Sequence, residues 1–203
     1  MAPATSIKFI DAALSCSGPL TLSYEEPNRK WIIREHLISL LQEFESLVPS
    51  IDTFTYNDGT TVNLLNVNGF LQVSPSTPPI PLTIWIHQNY PTSPPLVFLS
   101  SIHRDHPFVD SSGSITSPYL ETWAYPRSNL LDLARNLVRL FAHHPTFFSV
   151  SATIFSNYTD PSKIEALDRL VATLQSDRGD IAGQSRGRYR GIIRVAGGTC
   201  CSN

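Results

Sequence analysis

Residues 90–95 read Tyr90-Pro91-Thr92-Ser93-Pro94-Pro95, and they decide where a sheet has to turn. Each proline fixes φ near −65° and offers no N–H to a strand ladder, so the chain must leave the sheet here. Just upstream, Leu82-Thr83-Ile84-Trp85-Ile86-His87 alternates with a period of two, as a strand does. Just downstream, Leu96-Val97-Phe98-Leu99 is a second short apolar run. The stretch therefore reads as strand, rigid corner, strand. Further upstream, Thr53-Phe54-Thr55-Tyr56 is β-prone and stops at Asn57-Asp58-Gly59, where Asp-Gly is a strong hairpin signal. Val62 to Val67 is the next candidate strand. Asn68-Gly69 punctuates it, Phe70-Leu71-Gln72-Val73 follows, and the four prolines between Pro75 and Pro81 call for a loop or a sheet edge. The sum is an antiparallel meander.

Helices flank this meander. Ile33, Leu37, Leu40, Leu41, Phe44 and Leu47 recur at spacings of three and four, which predicts a helix beginning after Pro27 and ending at Pro49. Residues 100–127 show no period and are broken by Pro107, Pro118 and Pro126. A second helix is expected from Ser128, with Leu130, Leu133, Ala134, Leu137, Val138 and Phe141 as its apolar stripe, ending before Pro145. A third is expected from Asp160, with Pro161 in its first turn. From about Asp177 the chain is rich in Gly and Arg with little to bury, and disorder is expected. The fold class is α+β.

The bulk numbers narrow the function. With 203 residues, one domain and a tail are expected. A net charge of −2 supplies no field for nucleic acid or an anionic membrane. The three cysteines, Cys16, Cys200 and Cys201, form no disulfide framework or zinc spacing, which favours a reducing compartment. No apolar run reaches the ~18 residues of a membrane span, and no signal peptide pattern opens the chain. A cytoplasmic protein is expected, with the sequon at Asn157 idle. His103, His106, His143 and His144 lack the carboxylate or cysteine companions of a metal site, and no Gly-x-Ser-x-Gly elbow marks a hydrolase. No cofactor is expected.

The order of helix, four-strand meander, irregular crossing and helix resembles the ubiquitin-conjugating (UBC/RWD-like) fold, with a helix packed on one face of the sheet. Residues 90–95 resemble the Tyr-Pro-x-x-Pro-Pro corner of that family, and His106-Pro107-Phe108 resembles its His-Pro-Asn motif. Counting on from that histidine to the family's nucleophilic cysteine lands on Thr116. A thioester needs a thiolate, nucleophilic near neutral pH, whereas a threonine hydroxyl needs a strong adjacent base. The asparagine whose amide supports the oxyanion is replaced by Phe108. The resemblance is therefore to the catalytically inactive UEV branch. Within it the chain resembles the UEV domain found in ESCRT-I subunits. The carrying residues are Tyr56 to Gly59, Ile84-Trp85-Ile86, Tyr90 to Pro95, Ser117 to Trp123, Tyr125-Pro126 and Ser128 to Leu133. The divisions implied are an N-terminal extension (1–24), a UEV domain (25–150), a connector with a short helix (151–176) and an Arg/Gly tail (177–203). That family continues into a proline-rich linker, a coiled coil and an assembly box. A short helix and tail in their place suggest a truncated plant-type paralogue.

The resemblance implies a non-catalytic ubiquitin-binding adaptor that sorts ubiquitinated cargo at endosomes. Thr55, Asn57 and Asp58 on the hairpin and Phe98 beside it would touch ubiquitin. The turn alone explains Asn57 and Asp58 about as well. The family's groove for Pro-(Thr/Ser)-Ala-Pro peptides would use Tyr119, Pro145, Phe147, Phe148 and Ser149. Its opposite aromatic wall is replaced by Pro75-Ser76-Thr77-Pro78-Pro79, so weak or absent peptide binding is expected. ESCRT-I subunits are further implied partners. The alternative is a UEV that assists an active conjugating enzyme, but those proteins lack the Ser-Pro-Tyr-Leu and Ile-Trp-Ile signatures found here.

Overall fold

The runs on either side of the proline corner become neighbouring strands. In the computed structural model, which describes residues 2–16, 21–24, 26–100 and 106–144, helix α1 (Ala4–Ser15) and helix α2 (Pro27–Glu43) precede four strands. These are β1 (Leu47–Thr55), β2 (Thr61–Leu71), β3 (Ile80–Trp85) and β4 (Leu96–Leu99), followed by a short helix α3 (Pro118–Glu121) and helix α4 (Leu130–His143). The strands form one antiparallel sheet in the order β1-β2-β3-β4. Leu65, Val67, Leu71, Leu82, Ile84, Val97 and Leu99 from the sheet join Ile33, Leu37, Leu40 and Leu41 of α2 in a single apolar cluster. Leu130, Leu133, Ala134, Leu137 and Phe141 of α4 complete it.

The structure corrects two sequence expectations. The first long helix ends at Glu43, and Pro49 lies inside β1, opposite Val67. A proline is tolerated there because β1 is an edge strand, whose outward N–H has no partner to lose. The expected break at Asn68-Gly69 does not occur, and β2 runs through it to Leu71. Gly69 sits at φ +154 where Ser46 crosses, and a Cβ there would lie 2.1 Å from the Ser46 carbonyl oxygen. The glycine marks a close approach of two backbones, not a turn. Helix α1 adds to the core. Phe9, Ile10, Ala13 and Leu14 of α1 belong to the core, and Arg34 Nε of α2 donates to Asp11 Oδ1 at 2.5 Å. Tyr24, 2% exposed, donates from its hydroxyl to Ile86 O (2.7 Å) and accepts from Leu65 N–H (3.0 Å). The period-free stretch holds α3, capped by Ser117, whose side chain accepts from Leu120 N–H. The segments expected from Asp160 and Asp177 lie outside the described residues.

The corner at Tyr90 is held by His36 and Trp123. Its ring is fully buried, and its hydroxyl shares a 2.5 Å hydrogen bond with His36 Nδ1. Trp123 stands against it with ring centroids 5.7 Å apart and donates from Nε1 to Pro91 O. Both Tyr90-Pro91 and Tyr125-Pro126 are cis. On the other side of β4 the chain doubles back as a small hairpin, in which Val109 bridges Ile115 and Thr116 N–H donates to Phe108 O. Leu99 N–H donates to Gly113 O, and Ile115 N–H to Val97 O. This hairpin covers the β4 edge, which would otherwise expose unpaired groups.

Candidate functional site: a cleft between two hairpins

The β1–β2 hairpin tip and the small 109–115 hairpin face one another over the end of the sheet. Between them is a cleft of 310 Å³ lined by Phe54, Thr55, Tyr56, Asn57, His87, Leu96, Phe98, Asp110, Ser112 and Ser114. Register explains the gathering. Thr83 pairs with Phe98 and Trp85 with Leu96, and alternation carries His87 to that same face. Phe54 of β1 meets Trp85 with centroids 5.1 Å apart and Tyr56 at 5.1 Å, and Tyr56 meets His87 at 5.8 Å. An edge-to-face row of aromatic rings thus floors one side of the cleft.

Local chemistry sets the hairpin tip. Gly59 adopts φ +86, its N–H donates to Tyr56 O, and Tyr56 N–H donates to Thr60 O. Asp58 Oδ1 accepts from Thr60 N–H at 2.9 Å, and that hydrogen bond holds its carboxyl below the usual range. Tyr56 presents its ring to the cleft. Its hydroxyl is buried beside the Gln88 backbone without a hydrogen bond of normal geometry, and burial pushes its pKa up. On the facing hairpin, Asp110 Oδ1 accepts from Ser112 N–H (2.8 Å), Ser112 O–H (2.6 Å) and Ser114 N–H (3.0 Å). Partial burial works to raise this carboxyl, but those hydrogen bonds outweigh it and leave it low.

Of the four residues expected at a ubiquitin site, Thr55, Asn57 and Phe98 line this one cleft, while Asp58 is not among its walls. Sequence reasoning missed Phe54, His87, Leu96, Asp110, Ser112 and Ser114. Parity within Thr83-Trp85-His87 was a readable signal for His87, but the 109–115 hairpin has no pattern to announce it. Thr116 is exposed and lies outside the cleft lining. His106 is spent on structure: its Nδ1 accepts from Phe108 N–H and its Nε2 donates to His144 O. Among the expected peptide-groove residues, Tyr119 is half-buried. Its hydroxyl accepts from Asn129 N–H (3.1 Å) and its ring meets Trp123 edge-on. Pro145, Phe147, Phe148 and Ser149 lie outside the described residues. Among the described residues there is no cluster of metal-ligating side chains and no helix long and apolar enough to cross a membrane.

The chain is similar to known proteins. Protein ELC of Arabidopsis thaliana is 41% identical over 149 residues, covering 70% of this chain and 37% of that protein. The chain thus spans little more than a third of this relative's length. A solved yeast Vps23 UEV domain, in complex with a Vps27 PSDP peptide, aligns over 74% of this chain and 98% of its own, with TM-score 0.59 and 24% identity. A complex of the Vps23 UEV with ubiquitin aligns over 73% and 100%, with TM-score 0.56 and 24% identity. At that identity the two structures establish the shared fold. A model of the UEV domain family matches residues 20–149, a span that takes in the whole sheet, both walls of the cleft and the two long helices behind them, and the chain belongs to that family.

Proposed function

We propose that the cleft between the two hairpins is a ubiquitin-binding surface and that the protein is a non-catalytic, ESCRT-I-like adaptor for ubiquitinated cargo, cytoplasmic and recruited to endosomes. The observation that carries this reading is the convergence of Thr55, Tyr56, Asn57 and Phe98 on one cleft. Apolar Phe54, Leu96 and Phe98 offer a floor for an apolar patch, and Asn57 with the two serines offers polar contacts at the rim. The mixture suits a small protein surface with an apolar centre and a polar margin. A ubiquitin complex is known for a yeast domain of the same fold. Thr116 beside Phe108 supports the absence of catalysis, since neither a thiolate nor an oxyanion donor stands there.

A contact of this size should be weak, because few buried anchors leave little surplus over the entropy of association. The test is a titration of isotope-labelled protein with mono-ubiquitin, followed amide by amide. Shifts should concentrate at residues 54–57, 87, 96–98 and 110–114. Shifts confined to α3 and α4, or none at all, would overturn the assignment. Proline-rich peptides are expected to bind more weakly than to a groove with two aromatic walls, because the turn at Ser74–Pro79 contains no aromatic side chain.

A further inference from the structure

The cleft contains a titratable ring that the binding reading does not need. We propose that His87 makes ubiquitin binding at this cleft sensitive to pH, because only the neutral imidazole is compatible with a docked partner. The inference rests on the ubiquitin reading above and adds a mode of regulation to it.

Geometry fixes the protonation state. His87 Nδ1 accepts the N–H of Asn89 at 3.0 Å. An acceptor nitrogen carries no proton, so the single proton of the neutral ring is on Nε2. Adding a second proton would set two donors, Nδ1–H and the Asn89 N–H, against one another. The ring would have to turn, or the segment leading to the Tyr90 corner would have to shift. Either movement disturbs the contact of His87 with Tyr56 that forms part of the cleft wall.

Among the described residues, the carboxylates nearest the ring are already engaged in hydrogen bonds of their own hairpins. From the β1–β2 hairpin it meets Tyr56, whose phenol is neutral, and Asp58 of that hairpin is tied to Thr60 N–H at the tip. From the 109–115 hairpin the group sharing the cleft is Asp110, and its Oδ1 is already occupied by Ser112 and Ser114. Half-burial accordingly pushes the His87 pKa below its ordinary value. A docked protein would take away water that still reaches the ring, and further desolvation penalises the charged form again. The bound state therefore prefers neutral His87 more strongly than the free state does. By linkage, affinity is constant above the His87 titration of the free protein and falls as pH drops through it.

The test compares the parent chain with His87→Gln, which keeps a polar hydrogen-bonding side chain but cannot titrate. Affinity for mono-ubiquitin is measured at pH 7.5 and pH 5.0, and the His87 ring proton is titrated in free and ubiquitin-saturated protein. Any titration belonging to ubiquitin is common to both proteins. The parent should lose about threefold or more affinity relative to the variant on acidification, and the His87 midpoint should move to lower pH on saturation. Equal pH dependence in both proteins, or a midpoint unmoved by ubiquitin, would overturn the inference while leaving the site in place. If the parent fails to bind at pH 7.5, the ubiquitin reading falls and this inference falls with it. Should circular dichroism show the variant unfolded, the ring titration of the parent decides alone.

Discussion

Asn57 and Asp58 stand side by side at the hairpin tip but are used differently. Asp58 turns its carboxylate back to Thr60 N–H, which serves the loop itself, whereas Asn57 lines the cleft. Asn57→Ala should weaken ubiquitin binding about two- to tenfold, the equivalent of about 0.5–1.5 kcal/mol for a lost rim hydrogen bond, with an unchanged thermal midpoint. Asp58→Ala should instead lower the midpoint and shift the amides of residues 56–61. Calorimetry and thermal melts on the two single variants separate the roles, and a reversed pattern would refute this division. At Thr116 the expected outcome is chemical silence. Incubation with activating enzyme, ATP and ubiquitin should give no reductant-sensitive adduct on a non-reducing gel and no hydroxylamine-sensitive ester. Sequence made the hairpin residues legible because Asn-Asp-Gly is both a turn and a motif. It could not divide their labour, since that depends on which side chain bends back to the backbone. His87 was hidden for a different reason: parity fixes its face, but only the three-dimensional return of the 109–115 hairpin turns that face into a wall.

Strand β2 shows how one element can contradict local punctuation. Asn68-Gly69 has the composition of a turn, yet the ladder passes straight through it, with Asn68 opposite Val48 and Thr83 and Gly69 opposite Leu47 and Leu82. Polar side chains stay satisfied on the way: Ser50 donates to Asn66 Oδ1, Asn68 to Ser50 Oγ, and Thr83 to Asn68 Oδ1. Tertiary pairing overrides propensity here, and the position demands glycine because the Ser46 backbone occupies the space of a side chain. Gly69→Ala should therefore destabilise the fold by about 2 kcal/mol or more, since backbone cannot yield as a flexible side chain can. Urea denaturation measures it, and a loss under about 0.5 kcal/mol, the scale of ordinary surface changes, would show that the crossing relaxes easily. Pro49 was misread for a related reason. A proline ends a helix or sits on a sheet edge, and the apolar spacing of Phe44 and Leu47 suited the first reading. By contrast, Asn129 caps α4 through its side chain, accepting from Asp132 N–H, and the boundary expected at Ser128 is displaced by only that cap.

At the scale of the whole molecule the sequence was most legible where periodicity was long. The stripe of α4 and the alternation of β3 brought the meander and its rear helix into view, whereas α1 was missed. Its Phe9, Ile10, Ala13 and Leu14 recur at helical spacing, but that short stripe is buried only because α2 and β1 are its neighbours. The far ends of the fold are joined by Arg135, whose guanidinium donates to both carboxylate oxygens of Glu43 at 2.9 and 2.6 Å. That pairing holds Glu43 below the usual carboxylate range. The strand order β1-β2-β3-β4 has a kinetic consequence. Each strand finds its partner next along the chain, so the sheet can zip up through short loop closures, and low sequence separation favours rapid folding. The α2–α4 clasp is the opposite case, since its residues are 92 apart, and it should close after the rate-limiting step. Arg135→Ala should then accelerate unfolding while leaving the folding rate within about twofold. Stopped-flow mixing resolves the two limbs, and a variant that folds slowly but unfolds normally would place the clasp in the nucleus instead.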